Sequence, residues 1–134
     1  MTKVQVLVVD DEERLREVLI AVLESAGYTT AGVASGNEGL ARFAEFAPDL
    51  IVLDMIMPGV DGFEFLARLR AEPLHSTVPV LISSALGGTL ARAIEPGSAA
   101  TLGIVGVLPK PVEIDALLDL VRGAIGPGAS PATI

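Results

Sequence analysis

Apolar runs alternate with amphipathic stretches about five times along this chain, and that alternation predicts its architecture. VQVLVVD (4–10) is short, β-branched and almost continuously apolar, the signature of a strand covered on both faces. Leu15, Val18, Leu19, Val22 and Leu23 then recur at helical spacing, with Gly27 as a stop. TTAGVA (29–34) reads as a weaker strand. Ser35 followed by Glu38 forms a capping-box pattern, opening a helix through Leu40 and Phe43 that Pro48 ends. LIVLD (50–54) is a second buried strand. Asp61 and Glu64 repeat the capping pattern ahead of Phe65, Leu66 and Leu69. VPVLIS (78–83) and VGVL (105–108) complete the strands, and Ile114, Leu117, Leu118 and Val121 mark a final helix.

Each strand and helix together take roughly 20–30 residues, the size of a βα unit. The expected fold is therefore α/β, an open parallel sheet with helices on both faces. Right-handed crossovers bring the carboxyl ends of parallel strands to one edge, where such sheets bind ligands.

Composition narrows the function classes. A chain of 134 residues suits one domain, placed at 1–125, with GPGASPATI (126–134) as a flexible tail or the start of a linker. The formal charge of −8 argues against a nucleic-acid partner, since phosphates require Lys and Arg. Without cysteine there are no disulfides or thiolate metal sites. No apolar stretch approaches the ~20 residues of a membrane span, and no signal peptide is visible. A cytoplasmic protein without membrane contact is the expectation.

Chemistry collects at the predicted carboxyl edge. Asp10 and Asp11 follow the first strand, Asp54 the third, Ser83 and Ser84 the fourth, and Lys110 the fifth. Two carboxylates about 4 Å apart repel by about 4 kcal/mol at an effective dielectric of 20, and a divalent cation relieves this. Hard oxygen donors in small number suit Mg²⁺, which keeps several waters and accepts phosphate oxygens. Lys110 offsets the same charge and can pair with a phosphoryl oxygen. Mg²⁺, a lysine and a hydroxyl make a site for a PO₃ group, with Asp54 as a carboxylate nucleophile. Taken singly, each residue is better explained as a turn residue, helix cap or solvated loop group. Four strand ends carrying chemistry on one edge favour the functional reading.

In this order VVDDE (8–12), LDMIMPGVDG (53–62), SA (84–85) and KP (110–111) resemble the receiver domain of bacterial two-component response regulators, over residues 4 to about 124. The resemblance implies a flavodoxin-like fold, with a five-stranded parallel sheet in the order 2-1-3-4-5. It implies that Asp54 accepts a phosphoryl group from a phosphohistidine on a sensor histidine kinase or a histidine phosphotransfer protein. Asp11 and Asp54 would bind Mg²⁺ directly, Asp10 largely through water, and the carbonyl of Ile56 would complete the set. Ser84 would bond the phosphoryl oxygen, with Ala85 leaving room, and Lys110 would pair with the phosphate beside a cis Lys110–Pro111 bond. Ser83 is the runner-up hydroxyl, because successive residues of a strand face opposite sides. The output would be a changed surface, formed by a helix within 86–103, the last strand and the final helix. That surface would bind an unknown downstream protein or a second copy of the chain. Catalysis would extend only to the protein's own phosphorylation and slow dephosphorylation.

The chain departs from the family pattern in three places. Val107 stands where most receivers carry an aromatic residue, three positions before the lysine, so the usual inward swing of a ring is absent. The segment 86–103 is long, with Gly87-Gly88 and Pro96, and is expected to be irregular. Ile56 and Leu86, two positions after the acceptor and after the hydroxyl, are apolar and cannot orient an attacking water; a long-lived phosphoryl state is expected.

Ile56 also argues against an aspartyl-phosphate phosphohydrolase, which wants a carboxylate two residues after its nucleophile. DDEER (10–14) argues against a flavin-mononucleotide binder, since it would repel phosphate unless a cation intervened. A degenerate receiver that binds partners without phosphorylation is the alternative that Val107 sustains. His75, the only histidine, reads as a solvated loop residue. Phe43, Phe46, Phe63 and Phe65 read as packing, and Gly59 and Gly62 as turn residues at positive φ.

Overall fold

A computed structural model describes residues 4–55, 62–72, 77–85 and 103–127. The chain runs β1 (Gln5–Val9), α1 (Glu13–Ser25), β2 (Thr29–Val33), α2 (Gly36–Phe46), β3 (Leu50–Asp54), α3 (Gly62–Ala71), β4 (Val80–Ser84), β5 (Ile104–Pro109) and α4 (Ile114–Ile125). The five strands form one parallel sheet in the order β2-β1-β3-β4-β5. This is the expected fold class and strand order.

Strand alternation divides the core into two layers. Leu7, Val9, Ile51, Leu53, Val80 and Ile82 face α2 and α3, where Phe43, Phe65, Leu66 and Leu69 meet them. Val6, Val8, Leu50, Val52, Leu81 and Leu108 face α1 and α4 and pack against Leu19, Leu23, Leu117 and Val121. Both faces of the central strands are thus dry, which explains why they read as continuous apolar runs rather than alternating ones. Full burial of each such side chain contributes about 1.5–3 kcal/mol. Among the described residues, no helix is long and apolar enough to cross a membrane.

Local signals act largely as the sequence predicts. Gly27 has φ +97° just past α1, and its N–H donates to the Glu24 carbonyl at 3.0 Å. Ser35 caps α2 by accepting the Glu38 N–H at 3.1 Å. The Lys110–Pro111 bond is cis.

Other expectations need correction. Val18, counted on the apolar stripe of α1, is half exposed. It lies about a quarter turn from the centre of that stripe, whereas Ile20 on the other side closes over Gly32. Phe63 and Ile114 are likewise exposed at the first turns of α3 and α4, while Phe43 and Phe65 are buried. Gly62 is not among the positive-φ glycines. Close approach explains it instead: a Cβ there would lie 2.5 Å from the Met55 Cα. Gly59, Asp61, His75 and the segment 86–102 lie outside the described residues, so the readings made of them are not addressed by this structure.

Candidate phosphoryl-acceptor site

The sheet register builds a row of polar residues along one edge. Val8 pairs with Val52 and Val9 with Leu53, so Asp10 falls beside Asp54 one step beyond. Asp54 pairs in turn with Ser83, and Ser83 with Leu108. Asp10, Asp54 and Ser83 each continue the α1/α4 side of their strands. Asp10 and Asp54 are buried, at 1% and 3% exposure, and Asp11 is exposed. One carboxylate oxygen from each of Asp10, Asp11 and Asp54 falls within a 4.8 Å cluster.

Lys110 closes this cluster from the far edge. Its backbone N–H donates to the Ser84 carbonyl at 2.9 Å, which fixes the chain where β5 ends. Its Nζ lies 3.2 Å from Asp54 Oδ2, 3.3 Å from Asp10 Oδ2 and 3.1 Å from Glu12 Oε2. The contacts with Glu12 and Asp54 are directional hydrogen bonds. Burial alone would lower the Lys110 pKa. The hydrogen bond to Glu12, the charges of Asp10 and Asp54 and the hydrogen bond to Asp54 outweigh it, so the pKa is raised. Lys110 is held as a cation.

Asp10 combines a structural and a site role. Its Oδ1 accepts the Glu12 N–H at 2.9 Å, which steadies the start of α1, and its backbone carbonyl accepts Arg16 Nη1 at 2.8 Å. Among the described residues its Oδ2 is buried without a hydrogen bond and has only the ionic approach of Lys110. A buried carboxylate oxygen so placed, beside two further carboxylates, fits a hard divalent cation. Above it opens a cleft of about 240 Å³ lined by Asp11, Glu12, Asp54, Ala85 and Lys110. Ligand pockets for drug-sized molecules run to about 300–1,000 Å³; this cleft has room for a smaller group, and its three acids would admit an anion only beside a cation.

The structure therefore brings Asp10, Asp11, Asp54 and Lys110 together, with Ala85 at the rim. Both serines are buried. Register places Ser83 on the sheet face of Asp54, and its hydroxyl has no hydrogen-bond partner among the described residues. Ser84 is the last residue of β4, immediately before Ala85. Val107 is half-buried on the opposite face of the sheet, against the layer containing Phe65, away from the acids. Ile56 lies outside the described residues. Sequence reasoning counted Glu12 in the acidic run but gave it no role. Its partner is 98 positions away, and only the fold reveals the pair.

Comparison with known proteins gives the family of the chain. The sequence profile of the response regulator receiver domain matches residues 6–122. The DNA-binding transcriptional regulator NtrC of Salmonella typhimurium is 39% identical over 120 residues, covering 90% of this chain and 24% of that protein. The DNA-binding dual master transcriptional regulator RpaA of Synechocystis is 32% identical over 121 residues, covering 90% of this chain and 48% of that protein. The chain thus spans half or less of these two relatives. Among solved structures, a response regulator from Chloroflexus aurantiacus superposes with a TM-score of 0.80 at 32% identity, covering 92% of this chain and 98% of that one. The Vibrio cholerae chemotaxis protein CheY4 superposes with a TM-score of 0.81 at 27% identity, covering 92% and 100%. The chain belongs to the response regulator receiver domain family of two-component signalling.

Proposed function

We propose that this chain accepts a phosphoryl group on Asp54 from the phosphohistidine of a sensor histidine kinase or histidine phosphotransfer protein, and that the modification alters a partner-binding surface. The observation that carries this reading is the buried Asp54 carboxylate, clustered with Asp10 and Asp11 and hydrogen-bonded to Lys110 at 3.2 Å.

Asp10, Asp11 and Asp54, with the Ile56 carbonyl, are the ligands proposed for Mg²⁺. When bound, that ion would screen the carboxylates and the charge spread over the phosphoryl oxygens. The protein's own contribution is positional. An Asp54 oxygen forms the new O–P bond as the donor's P–N bond breaks and the imidazole leaves with the electron pair. Lys110 keeps its proton and pairs with an equatorial oxygen, and Ser84 donates a hydrogen bond to another. The new dianion draws Ser84 and Lys110 toward Asp54, biasing the loops after β4 and β5 between two arrangements. With Val107 half-buried on the other face, that bias runs through backbone and loop rather than a swinging ring. Ile56 and Leu86 leave the hydrolytic water unoriented, so the phosphoryl state is long-lived; a half-life of seconds in Mg²⁺ would count against this point.

The chain's own charge of −8 keeps it off nucleic acid. The DNA binding named for NtrC and RpaA belongs to those proteins. The reading is of a cytoplasmic receiver domain at 1–125 that acts on a downstream protein target and can form a homodimer. A degenerate, phosphorylation-independent receiver is the second reading, favoured only by Val107. Incubation with acetyl phosphate and Mg²⁺, followed by intact mass, separates the two. One added phosphoryl group, absent from Asp54→Ala, is the expected result. No addition with several donors despite bound Mg²⁺ would select the second reading.

A further inference from the structure

We infer that Glu12 is a placeholder for the incoming phosphoryl group, holding Lys110 in the resting protein and released when Asp54 is modified. This inference rests on the phosphoryl-acceptor reading above.

The three carboxylates around Lys110 Nζ are not equivalent. The side chains of Asp10 and Asp54 are 2% and 4% exposed, whereas that of Glu12 is 59% exposed. Asp10 and Asp54 are fixed in the floor of the site; Glu12 reaches Lys110 from the solvent side. That is the side of the cleft, which Asp11, Glu12, Asp54, Ala85 and Lys110 line. A phosphoryl group joined to Asp54 must project into this cleft, because the rest of the carboxylate is buried. Its oxygen and the Glu12 carboxylate therefore compete for the same side of the ammonium. At 3.1 Å, Glu12 is also the shortest of the three contacts.

Glu12 is built to let go. Its backbone is pinned by the N–H bond to Asp10 Oδ1 at 2.9 Å, so the start of α1 does not depend on where its side chain points. It occupies the N-cap position of α1 but its side chain makes no capping bond. Among the described residues, only the Lys110 pair is lost when the side chain rotates outward. In the transfer from acetyl phosphate, an Asp54 oxygen bonds to phosphorus as the P–O bond to acetate breaks, and acetate leaves with the electron pair. Lys110 retains its proton and exchanges one anionic oxygen for another, and the Glu12 carboxylate passes into water. In the resting site Glu12 occupies the solvent side of Lys110, and the exchange sets a threshold against anions that do not become attached to Asp54.

The test compares Glu12→Gln with Glu13→Gln, which removes the same charge from the exposed first turn of α1. Phosphoryl uptake from acetyl phosphate in Mg²⁺ is followed by intact mass. An exposed ion pair contributes about 0.2–1 kcal/mol, so Glu12→Gln should raise the uptake rate roughly 1.4- to five-fold, with Glu13→Gln close to wild type. The gap should narrow as NaCl screens the pair. A Glu12→Gln rate equal to that of Glu13→Gln, or below wild type, overturns the inference. Should the wild-type chain take no phosphoryl group, the acceptor reading fails instead. The placeholder is then judged by ¹⁵N NMR of the Lys110 ammonium: faster proton exchange in Glu12→Gln than in Glu13→Gln supports the held pair, and equal exchange refutes it.

Discussion

Asp54 and Lys110, 56 positions apart in sequence, are joined by a 3.2 Å hydrogen bond at the carboxyl edge of the sheet. Both side chains are largely buried, at 4% and 14% exposure. A lysine so placed compensates carboxylates that would otherwise repel one another, and removing one partner of a buried pair leaves uncompensated charge.

Lys110→Met should therefore lower stability by about 3 kcal/mol in chelator, since breaking a buried ion pair costs about 3–5 kcal/mol. Mg²⁺ should recover part of the loss by supplying positive charge to the same carboxylates. Urea denaturation with and without Mg²⁺ reads both effects. A variant as stable as wild type in chelator would show that the pair does not hold the site together.

Alkaline pH should weaken the fold through two groups. The Lys110 pKa is raised above its ordinary 10.5 because its carboxylate partners outweigh burial. Burial raises Tyr28 above its ordinary 10.0, against a smaller lowering by Arg122, and its hydroxyl donates to the Gly126 carbonyl at 2.7 Å. A raised pKa means the folded state holds its proton more tightly. The stability each confers is complete below its ordinary value and is lost as pH climbs from there through the raised one. Melting temperature should thus be insensitive to these groups at neutral pH and fall from about pH 10 upward. Tyr28→Phe should shallow that fall, and an unchanged slope would remove Tyr28 from the account.

The two adjacent serines should separate cleanly. The Ser83 hydroxyl is buried without a partner, and an unmet buried polar group costs about 1–3 kcal/mol. Ser83→Ala should raise stability by about 1 kcal/mol while leaving phosphoryl uptake near wild type. Ser84→Ala should slow uptake several-fold. The reverse pattern in a paired melting and intact-mass experiment would make Ser83 the site hydroxyl, as its sheet face allows.

Gly62→Ala should destabilise the protein by about 1–3 kcal/mol, the usual cost of forcing an extra methyl into filled space. The added Cβ meets the Met55 backbone at 2.5 Å, and backbone cannot rotate away as a side chain would. A neutral effect in thermal melts would mean that the approach of Gly62 to Met55 has room to spare.

Much of this architecture was legible because both sheet faces are covered. Val6 to Val9 and Leu50 to Asp54 are buried throughout, so they read as strands without ambiguity. Their acidic ends could then be placed at one edge by topology alone. Single helix faces were less legible. Val18 and Phe63 lie outside the contact stripes of their helices, since period fixes a face but not its width, whereas Ile114 shares the stripe of Leu117 and Val121 but is exposed at the first turn of α4. Gly62 was assigned to a turn conformation, whereas a contact with Met55 requires it; sequence carries no signal for such a contact. Glu12 escaped for the same reason. Its chemistry depends on a lysine 98 positions away that only the fold brings near, and nothing in DDEER distinguishes it from Glu13.

Asp10, Asp11, Asp54 and Lys110 are proposed to act as one phosphoryl-accepting centre. Peptide mapping after treatment with acetyl phosphate tests it most directly, run once with Mg²⁺ and once with chelator. The predicted result is a single phosphoryl group on the peptide containing Asp54, present with Mg²⁺ and lost without it. A phosphoryl group on any other peptide, or equal labelling of Asp54 in chelator, would contradict it.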